Sequence, residues 1–203
     1  MGTVYLRAMI NFPRPINVLR LPGKIGLITL LCLVSFVGLP SLAQENATPR
    51  LQIGINLLPA VIAANQSLAA SDGTNDLPIY LVYRENRRIA QQLEPGLRQI
   101  GEIRKRKLKI RTLSLDTLLA GEPAPLSIVF ITEPLDQRLD ELLELAQRQR
   151  ILLFSPFKGD VELGVTAGFQ VTDKVLPLVN MASLKQSKIQ LKAFFLRIAV
   201  KHE

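Results

Sequence analysis

The sequence predicts a single α/β domain: a mainly parallel sheet flanked by helices, followed by a C-terminal antiparallel hairpin and a terminal helix. Three observations carry this reading. Between residues 78 and 155, apolar strand-like runs alternate with helix-like stretches, the order that parallel strands with crossover helices impose. Two of those runs, Leu126–Thr132 and Ile151–Ser155, are centred on the continuous apolar stretches Ile128–Ile131 and Ile151–Phe154 and do not alternate, as strands buried on both faces do not. From Val165 onward the pattern changes to two β-rich segments around Thr172-Asp173-Lys174, which reads as a hairpin.

The first 43 residues are unlike the rest. They hold Arg7, Arg14, Arg20 and Lys24 and no acidic residue, then the apolar stretch Ile25–Leu39, Pro40 and the small-residue site Ser41-Leu42-Ala43. A basic lead, a short apolar core and small residues before the cut make a secretory signal, predicted to be removed before Gln44. The apolar stretch is shorter than the ~20 residues a membrane-spanning helix needs. Translation can begin at Met1 or Met9. Cys32 follows Thr29-Leu30-Leu31, which lacks the small residues of a lipid-attachment site. The expected product is therefore residues 44–203, periplasmic and without a transmembrane segment. The formal charge of +8 falls to +4 when the four leading cations are removed, so the basic field argues little for a nucleic-acid partner. The only cysteine leaves too, and disulfide chemistry with it.

In the exported part, Leu51–Asn65 is apolar on nearly every face and predicts a buried helix, kinked at Pro59. A polar loop, Ser67–Asp76, leads to a buried strand at Pro78–Tyr83. Arg87–Gln99 has helical spacing at Ile89, Leu93, Leu97 and Ile100, and Pro95-Gly96 is expected to end or kink it. Leu108–Leu113 alternates apolar with charged residues, as a half-buried strand near an edge does, and Asp116–Gly121 predicts a helical turn. After Pro134 comes the clearest helix, its stripe formed by Leu135, Leu139, Leu142, Leu143 and Ala146, with acids at its start and Arg148 and Arg150 at its end. Pro177 is expected on an edge strand and Asn180 as a helix cap. Ser183–Lys201 is expected as one terminal helix burying Leu184, Leu191, Phe195, Ile198 and Ala199.

The chemistry readable here is mostly exclusion. The one histidine, His202, stands next to the last residue, where a frayed tail would hold a catalytic base poorly. Cysteine–histidine zinc sites fail on number alone, and no phosphate-binding glycine loop or nucleophile-elbow motif occurs. No catalytic residue, metal ligand or cofactor is therefore assigned, and no enzyme is expected. The run Arg104–Lys107 with Lys109 and Arg111 can suit an anionic partner, but reads first as a solvated turn before an edge strand, where lysines discourage edge-to-edge pairing. Open α/β sheets hold ligands at the carboxyl ends of their strands. Those ends supply the candidate binding residues Glu133, Ser155, Phe157, Lys158 and Asp160, with Lys188 and Lys192 added as cations sharing one face of the terminal helix.

From Ile151 onward the chain resembles the YfiR family of periplasmic proteins. The resemblance rests on Gly164, Gly168-Phe169, the strand Val175–Val179 ending at Asn180, and Phe195-Leu196-Arg197-Ile198-Ala199. The redox-active cysteines of the best-known member have no counterpart. The resemblance implies a regulatory protein without catalysis, which binds the periplasmic part of an inner-membrane diguanylate cyclase or sensor kinase and modulates it, and so affects cyclic-di-GMP and biofilm formation. The alternative from another class is a periplasmic small-solute-binding protein using the strand-end cleft. A homodimer is left open.

Overall fold

The computed structural model describes residues 47–70, 76–121, 123–124 and 126–203. The expected signal peptide, residues 1–43, lies outside the described residues, as does much of the loop expected at 67–76.

A helix, α1 (Ala47–Ala64), starts the domain and a 3-10 turn (Gln66–Ala70) follows it. Next come β1 (Asp76–Tyr83), α2 (Arg87–Ile100), β2 (Glu102–Ile103), β3 (Arg106–Ser114), α3 (Leu115–Ala120) and β4 (Ile128–Ile131). After a 3-10 turn at Asp136–Arg138 the chain forms α4 (Leu139–Gln149), β5 (Leu152–Phe154), β6 (Ala167–Val171) and β7 (Val175–Asn180). Two short helices, α5 (Met181–Gln186) and α6 (Ala193–Ile198), and a last strand, β8 (Val200–His202), complete it.

The strands form one eight-stranded sheet in the order β2-β3-β1-β4-β5-β6-β7-β8. The five from β3 to β6 are mutually parallel; β2 and β7 are antiparallel to their neighbours, and β8 runs parallel to β7. Successive side chains point to opposite faces, so the central strands are apolar in both registers. Ile79, Leu81, Ile128, Phe130, Leu152 and Phe154 pack under α1 and α2, with the Phe130 and Phe154 rings stacked at 5.5 Å. Tyr80, Val82, Val129, Ile131 and Leu153 pack under α3 and α4.

α1 buries Leu51, Ile55, Leu58 and Ile62, spaced by three or four residues. Its Gly54 permits close approach to the sheet, since a Cβ there would meet Phe130 and Pro156 side-chain carbons at 3.1 Å. α2 runs through Pro95 to Ile100 instead of ending there. The carbonyl that Pro95 leaves without a partner belongs to Gln91, on the exposed side where water can serve it. In α4 the stripe is Leu139, Leu142, Leu145 and Ala146; Leu145 takes the fully buried place expected of Leu143, which is half-buried.

The C-terminal segment is the main correction. The helix expected over Ser183–Lys201 is broken into α5, a turn at Ser187-Lys188 followed by an extended stretch, and α6, and the chain then returns to the sheet as β8. The cause is long-range backbone pairing. Gln66 donates to the Gln190 carbonyl at 2.8 Å, Lys192 donates to that of Ala64 at 2.9 Å, and Asn65 and Leu191 form an isolated bridge. These bonds to the end of α1 hold residues 190–192 extended. Ile198, expected in the core, is 58% exposed, whereas Phe195 is buried at 2%. His202 is paired with Asn180 in β8 and not frayed. Pro177 lies on the penultimate strand, yet β8 pairs only Leu178–Asn180, so Pro177 falls just outside that ladder. Asn180 caps α5 as expected, accepting from Ser183 N–H at 2.8 Å.

Candidate functional site

The strand order reverses beside β1, which has β3 on one side and β4 on the other. In open α/β sheets the crevice at such a reversal, outside the carboxyl ends of the strands, is where ligands bind. Here it lies between the residues after β1, Arg84-Glu85-Asn86, and those after β4, Thr132-Glu133.

Half-buried Glu133 reaches across that crevice. Its carboxylate Oε1 accepts the backbone N–H groups of Arg84 and Glu85 in two short hydrogen bonds, and that of Asn86 at 3.1 Å. Its other oxygen also accepts from Asn86 N–H, at 3.3 Å. These donors lead into α2, whose first turn is capped by Asn86 Oδ1 accepting from Ile89 N–H at 3.3 Å. A helix N-terminus with free N–H groups favours a negative charge, and the chain supplies its own. Thr132 ties the same two strands together, donating from Oγ1 to the Val82 carbonyl at 2.8 Å. Outside, Arg84 pairs with Asp136 at 2.7 Å and Glu85 at 3.2 Å. The hydrogen bond to Asp136 chiefly holds the Arg84 pKa above its ordinary value, against partial desolvation and with help from the nearby carboxylates.

Ser155, Phe157, Lys158 and Asp160 stand together on the loop after β5. Buried Ser155 donates from Oγ to Asp160 Oδ2 at 2.5 Å and accepts from Phe157 N–H at 3.1 Å. Burial pushes the Asp160 carboxyl above the ordinary carboxylate range, the Ser155 hydrogen bond opposes this, and the charges of Asp136 and Glu162 add to it. Phe157 is half-buried against both apolar layers, and Lys158 alone of the four is exposed. The loop is braced from behind: Arg50 Nε donates to the Pro156 carbonyl at 2.7 Å with its guanidinium 4.7 Å from the Phe169 ring centroid. Asn180 Nδ2 donates to the Val161 carbonyl at 2.8 Å. Gly168 gives the loop room, since a Cβ there would meet the Ser155 carbonyl at 2.6 Å. Ser155 and Asp160 are thus bonded to each other within the turn.

Lys188 and Lys192 do not share a helix face. Lys188 lies in the break between α5 and α6 with φ of 53°, and Lys192 is the residue before α6. The basic run splits as well. Arg104 and Lys105 form the turn of the β2–β3 hairpin, both with positive φ. Arg104 donates to the Asn65 carbonyl at 2.7 Å and Arg106 to that of Asp76 at 2.6 Å, so part of the run fastens this hairpin to the end of α1 and the start of β1. Sequence reasoning missed the outward turn of Phe194 and Ile198, respectively 52% and 58% exposed. Their four-residue spacing was legible, but the break that rotates them outward was not. Among the described residues no helix is long and apolar enough to cross a membrane, and no cluster of three or more potential metal ligands occurs.

A family model described as YfiR/HmsC-like matches residues 69–200. The chain belongs to the YfiR/HmsC-like family. No curated protein matches it. Among solved structures, this YfiR/HmsC-like chain is similar to the ABC domain from Streptococcus pneumonia in complex with L-Trp, with a TM-score of 0.51 at 11% identity, over 74% of this chain and 59% of that one. It is similar at 14% identity to a conserved domain protein of Vibrio cholerae, with a TM-score of 0.51 over 76% of this chain and 60% of the other. The open, ligand-free structure of a substrate binding protein with adhesive properties from Clostridium difficile matches with a TM-score of 0.49 at 13% identity, over 74% of this chain and 58% of that one. The chain thus spans less than two thirds of each of these structures, and at such identities the likeness is one of fold.

Proposed function

We propose that residues 44–203 form a non-catalytic periplasmic regulatory protein, exported by a cleaved signal at residues 1–43. It binds the periplasmic part of an inner-membrane diguanylate cyclase or sensor kinase and modulates it. Membership of the YfiR/HmsC-like family supports the regulatory reading. The observation that carries it over its rival is Glu133. A solute-binding protein needs its strand-end crevice open, and here a carboxylate of the chain itself takes the backbone N–H groups that an anionic solute would use. The neighbour crystallised with L-Trp favours the rival through its fold, but it is much longer than the matching part.

Cross-linking in intact cells, followed by mass spectrometry, tests the reading. The expected product joins this protein to an inner-membrane cyclase or kinase. Absence of any such adduct, together with a melting temperature raised by an amino acid or other small solute, would overturn it in favour of solute capture.

A further inference from the structure

The C-terminal end of the chain carries a surface that neither the crevice nor the loop after β5 accounts for. Between Asp173 and Glu203 there is no acidic residue, while Lys174, Lys185, Lys188, Lys192, Arg197 and Lys201 are all cationic. Five of these are exposed and Lys192 is half-buried. None of them enters an ion pair among the described residues. Within this one-signed field, α6 buries Phe195 and turns Phe194 and Ile198 to solvent. Four residues apart, the two share a helix face. Arg197 stands beside Ile198 on the exposed side, and Lys192 Nζ lies 5.9 Å from the Phe194 ring centroid.

The size of the patch selects its partner. A stable protein interface covers roughly 800 Å² on each side, more than one face of a six-residue helix offers. A lipid surface asks less: a few apolar side chains at the boundary between headgroups and acyl chains, ringed by cations for the phosphates. Each cation near an anionic leaflet raises the partition coefficient about fivefold, so three raise it roughly a hundredfold over the apolar contact alone. We propose that this face rests on an anionic phospholipid surface, with Phe194 and Ile198 entering the headgroup boundary while Lys192, Arg197 and Lys201 meet lipid phosphates. Such attachment would be weak by itself. It goes beyond the protein contact proposed above and does not rest on it.

Flotation of the protein recovered from cells, with protein-free vesicles, tests this. Vesicles of equal parts phosphatidylglycerol and phosphatidylcholine are expected to carry the protein upward at low salt, and vesicles of phosphatidylcholine alone to leave it behind. Because screening weakens exposed charge pairs, the bound fraction should fall several-fold by about 0.3 M salt. The pair Phe194→Ser with Ile198→Ser, and the triple reversal Lys192→Glu, Arg197→Glu and Lys201→Glu, should each lower anionic-vesicle binding about tenfold or more. Thermal melting checks that each variant still folds, and two variants of different chemistry guard against one that does not. Equal partition to both vesicle types, no flotation with either, or undiminished flotation of both variants would overturn the proposal. It would equally be overturned if the wild type ignored vesicles while the same changes abolished a cross-link to a membrane protein.

Discussion

Replacing Glu133 with alanine removes one side chain and leaves three backbone N–H groups, those of Arg84, Glu85 and Asn86, without their acceptor. A hydrogen bond to a charged group contributes about 1.5–3 kcal/mol when well buried. Glu85 is exposed and Arg84 and Asn86 are half-buried, so water can recover part of each bond. The lost negative charge at the start of α2 adds roughly 0.3–1 kcal/mol. The expected cost is about 3 kcal/mol in total, which for a domain of this size lowers the melting temperature by roughly 6–12 °C. Glutamine keeps one acceptor oxygen and loses the charge, so Glu133→Gln should cost about half as much. Urea titration of both variants and the wild type measures this, and added acetate should raise the melting temperature of Glu133→Ala more than that of the wild type. A Glu133→Ala variant within about 0.5 kcal/mol of the wild type would show that these N–H groups do not depend on the carboxylate as their acceptor, and so would a glutamine variant as unstable as the alanine one.

Three further outcomes are expected. Phe195→Ala should cost about 3–5 kcal/mol, the range for a buried aromatic, read by denaturant unfolding; less than about 1 kcal/mol would place the ring outside the core. The folded state raises the Asp160 pKa, so it holds that proton more tightly than the unfolded chain, and wild-type stability should fall as pH rises out of the ordinary carboxylate range. Asp160→Asn, always neutral, should therefore melt with the wild type near about pH 3 and above it at about pH 7; a variant less stable at neutral pH would show that the ionised carboxylate is needed. Because Cys32 is the sole cysteine and precedes the expected cut, the melting temperature of the exported protein should not respond to dithiothreitol, and a shift of several degrees would reopen redox sensing.

The elements that local pattern determines were legible in the sequence. β4 and β5 declare themselves by unbroken apolar runs, α4 by its leucine stripe, and the β6–β7 hairpin by its polar turn. What could not be read depends on partners far along the chain. Residues 187–192 carry no helix breaker such as proline or glycine. They leave the helix because Ala64 and Gln66, over 120 positions earlier, take up the backbone bonds of Gln190 and Lys192. The consequences pass to Ile198, expected inward and found outward, and to Lys188, expected on a helix face and found in a turn. The site shows the same limit. Glu133 was identifiable as a strand-end carboxylate, because it follows an apolar run. Its acceptance of N–H groups from Arg84 to Asn86 follows only when β1 and β4 are parallel neighbours, in the register that pairs Val82 with Ile131. Ser155 and Asp160 are legible as residues of a strand-end loop, but the hydrogen bond that joins them across the turn is set by the loop's backbone path and not by their spacing.

The most direct test of the regulatory account is the signalling output of cells with and without this protein. Cyclic-di-GMP, together with phosphorylation of the inner-membrane sensor kinases, should be measured in a deletion strain. The same strain should be measured again when it makes the wild-type chain or one lacking residues 1–43. Deletion should change one of these outputs, and the exported chain alone should restore it. Unchanged cyclic-di-GMP and kinase phosphorylation across all strains would contradict a regulatory role.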